Sequence, residues 1–232
     1  MIKFTKKYND KIDSCIRALT LMGTDRDKIV ESYSGVKFPK SRIDKCEMFR
    51  NILNKRLSCP QFQYLTDLCS LARYRDKRCP HEYGVDLILG WLVEDAVLDR
   101  LVNEGLNSRL FGEDKKREFL NIGKISAIPD IEIDTKTGKR YIEVFTDWSN
   151  TWKKKNHADL RYDKYPCLVE HNAFLLGVSP HANAFFLIEL TQYDSLFKES
   201  VIGAWGKRGY TYKGIKDDLT SLNVVIDHLK SL

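Results

Sequence analysis

The sequence predicts a mixed α/β protein: a central β-sheet flanked by helices, with a helical lobe ahead of it. Up to about residue 83 apolar side chains recur at helical spacing, whereas from about residue 109 they alternate with period two. Two short apolar runs, 172–178 and 184–190, then follow a polar, basic stretch, as strands follow a connecting helix. The lobe is expected over 1–82 and the α/β core, with a C-terminal helix, over 83–232.

The elements follow in order. The first helix fits 11–22, with Ile12, Ile16, Leu19 and Leu21 near a 3.6 period. Helices also fit 41–57 and 62–75, and Pro39, Pro60 and Pro80 mark the breaks. A long helix is expected over 83–103, apolar around much of its circumference, with Gly105 as its terminator. A strand is expected within 109–122. A second, over 124–134, points Ile125, Ala127, Pro129, Ile131 and Ile133 one way and Ile128, Asp130, Glu132 and Asp134 the other. A turn at 135–139 and a return strand at 140–146 complete a hairpin. Residues 148–165 read as a surface helix, 203–214 as an aromatic-rich connection and 215–229 as the final helix.

Composition narrows the class. Charged residues make up 30% and hydrophobic ones 43%, which argues against wholesale disorder. No apolar run approaches the ~18 residues of a membrane span, and the start, MIKFTKKYNDK, has no apolar core of a leader. A cytoplasmic or nuclear location without a membrane partner is therefore expected. The net charge of +6 suits a polyanionic partner. Cys59, Cys69 and Cys79 recur every ten residues with His81 beyond, but lack the short hook of a zinc motif and read as reduced, helix-packing thiols. His157, His171, His181 and His228 are scattered and read as structural. There is no Walker loop, GxGxxG, GxSxG or HExxH.

The chemistry concentrates in Ile128-Pro-Asp-Ile-Glu-Ile-Asp-Thr-Lys-Thr-Gly-Lys-Arg-Tyr-Ile-Glu-Val-Phe145. With the turn placed as above, Asp130 and Glu143 lie on one face of adjacent strands, where opposed Cβ atoms stand about 4.5–5.5 Å apart. Two carboxylates so close repel unless a positive group intervenes. A divalent ion, Mg²⁺ or Mn²⁺, is the simplest such group. Glu94, Asp95 and Asp99 on the long helix offer a further acid. Lys153, Lys154, Lys155 and Lys164 offer an ammonium to stabilise phosphate charge. Lys154, His157, Arg161 and Lys164, at steps of three, four and three, would share one face of the 148–165 helix as a basic track. Trp205, Tyr210 or Tyr212 could stack on bases.

Pro129-Asp130 followed by Glu143 in Tyr-Ile-Glu-Val resembles the PD-(D/E)XK nuclease superfamily, over about 84–190. That resemblance implies a nuclease-like core and a metal-dependent endonuclease. The family usually places lysine two residues after the glutamate; here Phe145 stands there. In this the chain is similar to the cap-snatching endonucleases of segmented negative-strand RNA virus polymerases, several of which take their lysine from the following helix. The resemblance implies metal binding by Asp130, Glu143 and an acid of the preceding helix, best Glu94. It implies a catalytic lysine among Lys153–Lys155 or at Lys164, with Lys155 and Lys164 carried as candidates. RNA is the favoured substrate, cut by a domain of a larger polymerase in host cytoplasm or nucleus. The alternatives are a restriction-type DNA endonuclease, as a homodimer, and a degenerate nucleic-acid-binding module. His81 stays outside the site, because on one continuous helix it would lie about 20 Å from Glu94 along the axis.

Overall fold

The computed structural model describes residues 6–24, 80–112, 127–202 and 207–232. The helices expected at 41–57 and 62–75, the three evenly spaced cysteines and Trp205 lie outside them. Two compact units emerge, Met1–Ala96 with Lys116–Ile125, and Val97–Lys115 with Ser126–Leu232.

In the first unit, α1 (Lys6–Met22) buries Cys15, Ala18, Leu19 and Met22. Lys11 pairs with Asp86, and the Cys15 thiol donates to the Leu89 carbonyl at 3.9 Å, so α1 lies along α2 (Pro80–Asn103). Helix α2 is unbroken from Pro80, and the 82/83 boundary expected from sequence falls inside it. Its last turns belong to the second unit. Gly105, at φ +85°, ends it: Gly105 N–H donates to Val102 O at 2.9 Å and Leu106 N–H to Leu101 O at 3.0 Å. That pair of bonds satisfies carbonyls the helix would otherwise leave open. Among the described residues no helix is long and apolar enough to cross a membrane.

The second unit is the expected mixed α/β layer. Its main sheet runs β1 (Ser108–Leu110), β2 (Ile131–Thr135), β3 (Gly138–Thr146), β5 (Ala173–Ser179), β6 (Ala184–Glu189), with β3 and β5 parallel and the other pairs antiparallel. A parallel pair needs a crossover. Here it is α3 (Thr151–Lys155), β4 (His157–Arg161) and α4 (Lys164–Glu170). Every residue of β5 is buried, as a central strand covered on both faces requires. One face carries Ala173, Leu175, Phe186 and Ile188 into a core shared with Trp152, Leu160, Leu168, Phe197 and Tyr212.

Three expectations are corrected. The 148–165 helix is instead helix, strand, helix. Asn156, at φ 55°, stops α3, and Ala158 and Leu160 then alternate inward against His157, Asp159 and Arg161. Burying that two-residue period outweighs the helical spacing of the charges, so the basic track does not form on one helix. Pro166 is the third residue of α4, where its missing N–H costs nothing. The 203–214 connection contains a strand: β8 (Lys207–Lys213) sits between β4 and β7 (Phe197–Ile202) in a second, three-stranded sheet. The 215–229 helix is split into a 3₁₀ turn, Ile215–Asp218, and a helix, Leu222–Ser231, because Thr220 bridges to Phe185 between them.

Packing between β5 and β6 leaves no slack at Gly177. A Cβ there would stand 1.9 Å from Cε1 of Phe186, its cross-strand partner, which is fully buried. Gly177→Ala should therefore destabilise the second unit by about 1–3 kcal/mol, seen as a lower urea midpoint, and Gly177→Ala/Phe186→Leu should recover part of the loss.

Candidate active site

Hairpin register builds the site. The turn is two residues long, closed by the Thr135–Gly138 pair and by Thr135 Oγ1 donating to Gly138 O at 2.7 Å. Ile131 opposes Ile142, so the next step outward sets Asp130 against Glu143. Asp130 N–H donates to Ile142 O at 3.0 Å, and Asp130 Oδ2 accepts from Val144 N–H at 2.8 Å. The Asp130 carboxylate is thereby pinned to the neighbouring strand. Glu143 is buried on β3.

Lys164, the first residue of α4, forms an ion pair with Glu143 Oε1. Burial works against its charge, but Glu143 and Asp130 outweigh that and hold Lys164 above its ordinary pKa. Asp130 is pushed up to about 8, first by burial and then by the charge of Glu143, with Lys164 and the Val144 amide pulling the other way. Two carboxylates thus stand beside one ammonium, which pairs with Glu143, and burial together with the charge of Glu143 favours the protonated form of Asp130.

Of the residues expected from sequence, Asp130, Glu143 and Lys164 come together. Lys155 does not join them; it is exposed at the end of α3. Glu94 is half-buried on α2 in the first unit. Among the described residues no three His, Cys, Asp or Glu side chains form a metal cluster. The second unit therefore supplies a two-carboxylate set. That fits Mg²⁺, which commonly binds through one or two carboxylates while keeping water and phosphate ligands. Phe145 lies against Trp152, ring centroids 5.4 Å apart, so the position two residues after Glu143 fills the core and carries no cation.

Other acids near the hairpin are spoken for. Glu132, expected on the face of Asp130, is buried and paired with Arg109 and Lys139. Asp147, which sequence reading passed over, is buried and caps α3, accepting from Thr151 N–H at 2.8 Å and Trp152 N–H at 3.1 Å. Its signal was an aspartate four residues before a threonine that opens a helix. The histidines have local partners: His157 Nε2 lies 3.4 Å from Asp159, His171 Nδ1 lies 2.7 Å from Cys167 O, His181 Nε2 lies 3.3 Å from Trp148 O, and His228 meets Phe174 edge-on.

No family model matches the chain, and neither does any curated protein. Thirteen chains among solved structures do. One is Hjc, a Holliday junction resolvase of Archaeoglobus fulgidus, at 14% identity and a TM-score of 0.37, over 58% of this chain and 92% of that one.

The retained proton sets a pH dependence. Folded Asp130 keeps its proton up to about pH 8, whereas the unfolded carboxyl releases it near 3.8. The folded state therefore binds more protons between those values, and its stability falls as pH rises through them. In EDTA, urea melts of the wild type from pH 4 to pH 8 should show that decline. Asp130→Asn should flatten it and be the more stable protein at pH 8; an unchanged slope in the variant would refute the assignment.

Proposed function

We propose that the second unit is a divalent-metal-dependent endonuclease domain that hydrolyses phosphodiester bonds, with RNA the favoured substrate. The observation that carries this reading is the meeting of Asp130, just ahead of β2, with Glu143 on β3, and the pairing of Glu143 with the ammonium of Lys164. Asp130 and Glu143 would hold Mg²⁺ or Mn²⁺, which when bound supplies a water of lowered pKa and neutralises phosphate charge.

The chain's own residues do the rest. Asp130 would release its proton to hold a cation, and its carboxylate is oriented by the Val144 amide. Glu143 anchors the ammonium of Lys164. Because Lys164 is held above its ordinary pKa, it remains charged at neutral pH. It therefore serves as a donor to the charge developing on a phosphate oxygen, not as a general base. Phe145 cannot supply that cation, and Lys164 reaches the same carboxylate from the other end of the crossover.

The resemblance to cap-snatching enzymes supports RNA over DNA; the restriction-type alternative calls for a homodimer and duplex DNA. Purified protein with Mn²⁺ should cut single-stranded RNA faster than duplex DNA or a Holliday junction. Asp130→Ala and Glu143→Ala should each lower cleavage by at least about 100-fold, and Lys164→Ala by about 10²–10³-fold. Lys155→Ala should stay within about twofold of wild type, since its side chain is exposed and pairs with neither carboxylate. Mn²⁺ should also raise the melting temperature of the wild type but not of Asp130→Ala/Glu143→Ala, because only the folded carboxylate pair binds it. A stabilised wild type that cuts nothing would favour the degenerate binding module.

A further inference from the structure

Two residues before Lys164, in the turn between β4 and α4, Tyr162 leaves 46% of its surface exposed. Single exposed aromatics are ordinary. This one is the outer end of a column of rings. Tyr162 stacks on Tyr210 with centroids 5.7 Å apart and planes 14° from parallel, and Tyr210 stacks on Tyr165 at 4.2 Å. Tyr165 leans on Phe197 at 5.1 Å, and Phe197 stacks on Tyr212 at 5.2 Å. The inner three rings are buried, and the Tyr212 hydroxyl donates to Asp218. Each step fixes the next, so Tyr162 is held by packing, with one face on Tyr210 and the other toward solvent.

Its position gives the column a use. Tyr162 and Lys164 are two residues apart, so their Cα atoms lie within about 7.6 Å. Arg161, half-buried just before the tyrosine, is near enough to Lys164 for the two cations to repel. Arg161 already has an anion beside it, the exposed Asp163 at 3.6 Å, and a strand whose phosphate took that place would set a base beside Tyr162.

We infer that Tyr162 is a stacking platform for an unpaired nucleobase next to the phosphodiester received at Asp130, Glu143 and Lys164, an inference that rests on the nuclease reading. A base paired within a duplex has both faces covered by its neighbours, so the platform selects single-stranded or frayed substrate. Tyr162 is a positioning residue: it takes no part in the reacting atoms, and its hydroxyl is not needed.

The test is binding without cleavage. The full chain in EDTA is titrated into single-stranded RNA 12-mers carrying one 2-aminopurine at successive positions, with the same oligomers annealed to complements as duplex controls. Wild type should quench the probe most strongly at one position. Tyr162→Ala should abolish that maximum and weaken single-strand binding about tenfold, within the range that base–aromatic stacking supplies. Tyr162→Phe should keep both, and the duplexes should show no dependence on Tyr162. An abasic site at the quenched position should cost wild type the same factor and cost Tyr162→Ala nothing further. Binding and quenching indifferent to Tyr162→Ala would overturn the platform and leave the nuclease reading standing. Equal dependence in the duplexes would overturn it as well, and a wild type that binds no nucleic acid would take both readings down.

Discussion

Two carboxylates held against each other, one of them paired with an ammonium, are the constraint around which the second unit is arranged. Asp130 and Glu143 meet because the hairpin register leaves no choice: a two-residue turn sets Thr135 against Gly138, and counting outward sets 130 against 143. A slip of one residue would put Glu143 on the opposite face, against Ile131 and Ile133, both fully buried. The apolar alternation that makes the hairpin fold is therefore the same pattern that forces the acids together. Their repulsion is relieved locally, by Lys164 and by a proton on Asp130, and that unsatisfied demand for positive charge is what a cation would meet.

The ammonium depends on a different part of the chain. Because β3 and β5 are parallel, the chain must cross over between them, and it does so through α3, β4 and α4 before entering β5. The start of α4 is thus brought to the side of the sheet where Glu143 stands. Several packing details hold it there: Asp147 caps α3, Asn156 ends it, Ala158 and Leu160 sink into the core, and Pro166 occupies the first turn of α4 without losing a bond.

The parts of this arrangement that follow from local counting were legible in the sequence. The turn Thr135-Lys-Thr-Gly138 is short and flanked by alternating residues, so the partnership of Asp130 with Glu143 could be read without coordinates. The same holds for β5 and β6, apolar runs separated by Ser179-Pro-His-Ala-Asn183, and for α2, whose apolar belt is too long for a strand. The crossover was not legible, because in 157–161 two periods coexist. His157, Arg161 and Lys164 recur at steps of four and three, while Ala158 and Leu160 alternate with polar neighbours. Over five residues neither pattern excludes the other, and tertiary burial decides. Strand β8 was hidden for a related reason. Lys207-Arg-Gly-Tyr-Thr-Tyr-Lys213 is polar and glycine-containing, and becomes a strand only because β4 and β7 flank it. Lys155 and Lys164 were indistinguishable while they were placed on one helix; once Asn156 breaks it, only the second reaches Glu143.

Phe145 and Lys164 are best understood together. Glu143 and Phe145 share a face of β3, so a lysine at 145 would have sent its chain past Trp152 toward the same carboxylates. Here Phe145 is committed to packing on Trp152, and Trp152 to Phe186 at 4.8 Å, so the position is tied to the core. Gly177, opposite Phe145 on β5, is what makes room for the Phe186 ring. Replacing Phe145 with lysine would therefore take the ring away from Trp152 and leave a cavity beside it, at a cost in stability. Supplying the charge from the first residue of α4 avoids that conflict. The core keeps its aromatic layer, and the cation enters from a helix end whose side chain can reach Glu143 while its backbone stays outside the sheet. Phe145 is thus compatible with the proposed site, because the physical requirement is one ammonium at Glu143 and not a particular place in the sequence.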